Sequence, residues 1–222
     1  YNDHLMEQLA DAGDGNHAYI DSLSEARKVL VDQLQSTLLT IARDVKIQLE
    51  FNPEIVAEYR LIGYENRILQ REDFNNDQVD AGDIGAGHTV TALYELALVA
   101  GGGRRIDPLR YGGDTIDVRE DRNSGELGYI KLRYKQPDTD TSTKIERPIA
   151  LDSGSAMSQR LAFAAAVAAF GQHLRGGRYL EGYRLNDIHA LASGARGQDS
   201  FGYRGEFLQL IRLAESQQLA MP

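Results

Sequence analysis

Apolar and polar positions alternate with period two through the middle of the chain, and a helical period replaces that alternation at both ends. From His88 to Val99, the residues Val90, Ala92, Tyr94, Leu96 and Leu98 fall on one face. Thr89, Thr91, Leu93, Glu95 and Ala97 fall on the other. The second face is only half polar, which predicts a central strand covered on both sides. Gly82, Gly85 and Gly87 precede it and predict a sharp turn. Upstream, Val45, Ile47, Leu49 and Phe51 alternate with Lys46, Gln48 and Glu50, a half-buried strand ended by Asn52-Pro53. Residues 56–65 predict a further strand with a bulge or close contact at Gly63, and residues 67–70 a short edge strand. Residues 127–134 and 144–151 read as a hairpin closed by the polar tract 136–142, and the glycine-rich stretch 101–125 as a long loop. Strands at this spacing predict an antiparallel β-sandwich over residues 44–151.

The ends follow a different rule. Asn2 is placed to cap a helix over 3–12, where Leu5, Met6, Leu9 and Ala12 have the spacing of a buried face. Residues 17–20 (His-Ala-Tyr-Ile) form a short strand candidate. Ser22 and Glu25 have the spacing of a capping box opening a long helix to about Ala42, with Leu23, Ala26, Leu30, Leu34, Leu38 and Ile41 on one stripe. A helix, one strand and a helix lack the neighbouring strands that a parallel sheet needs. Residues 1–43 therefore read as the helix–strand–helix tail of a larger α/β domain. After residue 152, Ser155 or Ser158 caps a helix to about Leu174, Gly176-Gly177 breaks it, and two more helices follow over 186–192 and 203–216. Residues 152–222 are thus a helical unit, and the whole chain is α+β.

The charge balance narrows the partners. Of 222 residues, 33 are acidic and 24 basic, a formal charge of −9 that disfavours nucleic acid, whose phosphates demand clustered Lys and Arg. Cysteine is absent, so disulfides, thiolate nucleophiles and Cys-ligated zinc are excluded. The longest apolar run, 161–170, is far short of the ~20 residues of a membrane span. No signal peptide opens the chain, and its start at Tyr1 rather than Met leads us to expect a piece of a longer product.

Residues 2–13 (Asn-Asp-His-Leu-Met-Glu-Gln-Leu-Ala-Asp-Ala-Gly) and 19–23 resemble the last helix and strand of bacterial von Willebrand factor type A (VWA) domains. Residues 59–66 (Tyr-Arg-Leu-Ile-Gly-Tyr-Glu-Asn) and 80–95, from Asp80-Ala-Gly-Asp83 through His88-Thr-Val-Thr to Glu95, are similar to the C-terminal region of VWA proteins of the YfbK type. The resemblance implies a non-catalytic adhesion or scaffold protein of the bacterial cell envelope, periplasmic or anchored through an upstream segment. VWA domains hold a divalent cation through an Asp-x-Ser-x-Ser loop. Here Asp140-Thr-Ser142-Thr-Lys144, Asp152-Ser-Gly-Ser155 and Asp21-Ser-Leu-Ser24 all depart from that pattern. No metal or cofactor is therefore assigned to this chain, and any such cation belongs to a part of the VWA domain outside it.

Three stretches carry candidate chemistry. The acidic loop 72–83 offers oxygen ligands that calcium favours, with Asp77, Asp80 and Asp83 as candidates, but without the glycine and glutamate order of an EF-hand. The rival to a scaffold is thus a calcium-regulated domain or a hydrolase using residues 72–88, with His88 beside Asp83 for acid–base work. Gly82, Gly85 and Gly87 open a strand, not the helix of a dinucleotide loop. No catalytic residue is assigned. Finally, Tyr179, Tyr183, Arg184, Tyr203 and Arg204 have the composition of an interaction hot spot, or equally of rings that seal a helical unit. A protein partner is expected, and the unmatched apolar faces of residues 1–43 predict disorder, rearrangement or pairing with a second copy.

Overall fold

The computed structural model describes residues 1–13, 15–34, 38–63, 68–79, 81–101, 103–107, 125–151 and 156–220. Six strands and five α-helices stand in this part of the chain: α1 (Asp3–Ala12), α2 (Leu23–Arg27), β1 (Thr40–Phe51), β2 (Val56–Ile62), β3 (Ile84–Gly85), β4 (Leu93–Leu98), β5 (Glu126–Lys135), β6 (Ser142–Ala150), α3 (Gln159–Leu174), α4 (Leu185–Gly194) and α5 (Tyr203–Ala220). The protein is α+β with antiparallel sheets. It divides into two units, Tyr1–Arg60 with Tyr64–Asp152, and Leu61–Gly63 with Ser153–Pro222.

In the first unit, four strands run in the order β3-β1-β5-β6, each antiparallel to its neighbour. The β5–β6 hairpin closes over the polar tract as expected, with Lys135 opposite Ser142 and Arg133 opposite Lys144. Strand β1 pairs Lys46 with Arg133 and Phe51 with Gly128, and its register shifts between Arg43 and Lys46. That shift is a bulge centred on Asp44, whose φ of +53° lies in the left-handed region that few non-glycine residues enter. Gly128 is demanded by packing, since a Cβ there would sit 2.6 Å from the carbonyl oxygen of Glu50.

A two-stranded sheet joins β2 and β4. The Val99 N–H donates to Ile55 O at 2.8 Å, so the end of one strand meets the start of the other. Phe51 at the end of β1 lies 4.8 Å from the Tyr59 ring and 5.4 Å from the Tyr94 ring, which ties this pair to the larger sheet.

Several expectations are corrected. Residues 17–20 form no strand, because a lone strand has no ladder to complete. Instead Tyr19 stacks 4.6 Å from Tyr1, and His17 meets Asp3 at 3.4 Å. Ser22 does cap a helix, accepting the Glu25 N–H at 3.2 Å, but α2 ends at Arg27 and passes into a π-helix over Lys28–Asp32. The expected helix to Ala42 fails because Thr40 and Ala42 pair with Gly85 and Ile84, so that Ile41 is a strand residue. Tertiary pairing overrides the helical stripe there. Residues 88–92 are irregular and exposed, and β4 begins only at Leu93, in a sheet of two strands and not at the centre of a larger one. Ile68–Gln70 form no strand. Residues 64–67, Asp80, most of the 101–125 loop, and Ser153 and Ser155 lie outside the described residues.

The second unit is a set of three helices. Ser158 caps α3, accepting the Leu161 N–H at 3.2 Å, and Gly176 and Gly177, at φ of +95° and +66°, terminate it. Ala166 from α3, Leu185, Ile188 and Ala192 from α4, and Ile211 from α5 form its buried core. Small residues on α3 permit the close approach that the alanine-rich run predicts. Phe207 stands edge-on to Phe163 and Phe170, each 5.5 Å away. Asp199 accepts the N–H groups of Arg204 at 3.1 Å and Gly205 at 2.8 Å, satisfying the open end of α5.

Candidate functional site

The feature that sets this chain apart is a buried ion cluster on the four-stranded sheet. A lysine and an aspartate almost never lose their water unless each finds a partner. Lys46 is 2% exposed and Asp44 7%. The bulge in β1 makes this possible, since it turns the Asp44 carboxylate toward its own strand neighbour. Lys46 Nζ lies 3.2 Å from Asp44 Oδ1 and donates to Asn76 O at 2.6 Å. Lys135 Nζ, from β5, approaches Asp44 Oδ2 at 2.8 Å. The backbone N–H of Asp44 donates to Asp83 Oδ1 at 3.1 Å, and that of Val45 to Gly82 O at 3.0 Å, which holds the left-handed residue in place.

Over this cluster runs a strap. A 3-10 helix at Arg71–Asn75 buries Phe74, and the turn after it brings Asn75, Asn76 and Asp77 to the basic side chains of β1 and β5. Arg133 donates to Asp77 Oδ2 at 2.9 Å and to Asn75 Oδ1 at 3.2 Å. The Ser142 hydroxyl donates to Asp77 Oδ1, and Lys135 donates to the Asp77 main-chain oxygen at 3.0 Å. The Ser142 hydroxyl and then Arg133 hold the Asp77 carboxyl below the usual carboxylate range. Asp44 in turn pushes the Lys135 ammonium above its usual value. The arrangement is a charge-assisted clamp of a loop onto a sheet.

The sequence-predicted residues divide accordingly. Among the calcium candidates, Asp77 spends both oxygens on Ser142 and Arg133, Asp83 accepts from Asp44, and Asp80 lies outside the described residues. Among the described residues no group of three or more His, Asp or Glu side chains could hold a metal ion. His88 is exposed, its N–H donating to Gly85 O. In the glycine-rich stretch that opens at residue 101, the Arg105 and Ile106 N–H groups donate to Glu58, and the Arg105 guanidinium lies 3.1 Å from Glu95.

The tyrosine–arginine group takes up separate local duties. Arg204 donates to Ala195 O and Arg196 O beyond the end of α4 and lies 4.6 Å over the Phe163 ring. The Arg184 N–H donates to Asp187 at 2.9 Å at the start of α4, and the Tyr183 hydroxyl reaches Asp187 O. Arg178 stacks on Tyr179 at 5.3 Å, and Tyr203 lies 5.9 Å from Phe201. Lys46, Lys135 and Arg133 escaped notice in the sequence because they look like the outward residues of amphipathic strands. The available signal was the matching loop, in which acidic and amide residues face a basic hairpin.

Fold and site together define an α+β protein whose charged groups lock an acidic strap onto an antiparallel sheet. Residues 36–217 match the family described as "Uncharacterized protein YfbK, C-terminal", and the chain belongs to that family. It is 48% identical over 215 residues to the "Uncharacterized protein YfbK" of Escherichia coli (strain K12), an alignment that covers 97% of this chain and 37% of that protein. The chain therefore spans little more than a third of the curated relative it matches. No solved structure matches it. Among the described residues, no helix is long and apolar enough to cross a membrane.

Proposed function

We propose that this chain is a non-catalytic protein-interaction region of a larger bacterial protein, and that its first forty residues complete a VWA domain carried by that protein. The observation that carries the reading is the exposure of apolar side chains before β1. Leu9, Leu23, Leu30, Val31 and Leu38 are 58%, 87%, 59%, 64% and 74% exposed. Amphipathic helices of this length gain their stability from what they pack against, so such a stripe calls for a covering partner. On this reading the two sheets act as opposed layers of a small sandwich, and the three-helix unit adds a second surface. The Asp77 carboxylate of the strap is spent on Arg133 and Ser142 of the sheet, which supports holding over chemistry. Placement at the cell envelope follows from the VWA resemblance alone.

Hydrogen exchange compared between the 222-residue chain and the longer natural protein tests this. Amides of residues 5–34 are expected to exchange fast in the short chain and slowly in the long one. Equal, fast exchange in both would end the proposal.

A further inference from the structure

We propose that Lys46, Arg133, Lys135 and Ser142 form a carboxylate-binding site that Asp77 fills from within the chain, the strap standing in for an acidic segment of a protein partner. The charge pairing is the first support. Lys46 and Lys135 pair with Asp44, a carboxylate of the sheet itself, and Arg133 pairs with Asp77 of the strap. Without Asp77, the largely sequestered Arg133 would lose the carboxylate it pairs with, a state that recruits another carboxylate. Exposure is the second. The side chains of Lys46, Lys135 and Arg133 are 1%, 16% and 19% exposed, whereas that of Asp77 is 40% exposed. The receptor groups are sequestered, and the anion they hold sits outermost, on a loop.

The donor geometry specifies the ligand. Ser142 and Arg133 take one oxygen each of a single carboxylate, a two-point grip suited to Asp or Glu. Lys46 and Lys135 reach main-chain oxygens of Asn76 and Asp77, and Arg133 the side-chain oxygen of Asn75, so the site reads a peptide and not a bare ion. Arg133 keeps a donor in reserve, since its Nε is buried with no acceptor among the described residues. The ligand class is an acidic peptide segment with an amide residue before its carboxylate. These residues are distinct from the exposed apolar side chains before β1, so either proposal can fail alone.

The experiment is thermal unfolding of the full chain and its variants in sodium acetate against sodium chloride at equal ionic strength. Asp77→Ala is expected to melt lower in chloride and to recover by about 2–4 °C in acetate, as mass action on a vacated site requires. Wild type, its site already filled, and Asp77→Ala combined with Arg133→Ala are expected to show only the general difference between the two salts, against which the recovery of Asp77→Ala is measured. Asp77→Ser, which also vacates the carboxylate's position but keeps a polar side chain, is expected to respond as Asp77→Ala does. The proposal is overturned if neither Asp77 variant responds to acetate, whether folded or unfolded, or if the double variant responds equally.

Discussion

Asp44 holds a left-handed backbone because three groups over-determine it: Asp83 takes its N–H, while Lys46 and Lys135 take its carboxylate. Residue by residue, the strap depends on protonation in two windows. The Asp77 carboxyl lies lower folded than unfolded, so its contribution is present above about pH 4 and is lost as pH falls through the folded value. The Lys135 ammonium lies higher when folded, so its contribution is complete below about pH 10 and is lost as pH rises through the folded value. The protection of amides 75–79 relative to their intrinsic exchange at each pH should therefore be flat through neutrality and fall at both extremes. Asp77→Asn should remove the acid limb alone, and an acid limb that survives this change would refute the assignment.

Elements show where local code was sufficient. The caps at Asn2, Ser22 and Ser158, the β5–β6 hairpin and the break at Gly176-Gly177 all appear where side-chain chemistry places them. Each depends on neighbours within a few residues, and so a sequence pattern suffices. The strand at 17–20 and the long helix to Ala42 did not form, because each depends on whether a distant strand stands alongside. Register is a property of the same kind. Gly128 fixes it by letting the Glu50 carbonyl approach closely, so Gly128→Ala should destabilise the chain by about 1–3 kcal/mol in urea titration, with an unchanged slope. A change of less than a few tenths would show that the strands shift freely.

On the scale of the whole molecule, the buried apolar side chains among the described residues are few in the first unit, with Val56, Phe74 and Ala97, and more numerous in the three-helix unit. Ionic contacts and exposed apolar side chains mark the first unit more than a deep core does. A chain that displays Leu23, Leu38 and their neighbours should self-associate, and light scattering across a concentration series should give a mass above that of one chain. A strict monomer at every concentration would count against an unmatched apolar surface before β1.

Composition and periodicity alone determined the α+β class, the hairpin and the capped helices, because all of these are written in short-range order, while the residue words at 59–66 and 80–95 carried the resemblance to the family. Only the tertiary structure decided that Thr40–Ala42 join a sheet and that Lys46 is buried. It alone brought the acidic loop, which resembled a cation site, onto Arg133 and Lys135. The reason is electrostatic: a carboxylate's ligand is chosen by which positive charge stands nearest in space, and the separation of 56 residues between Asp77 and Arg133 hides that choice from any local pattern.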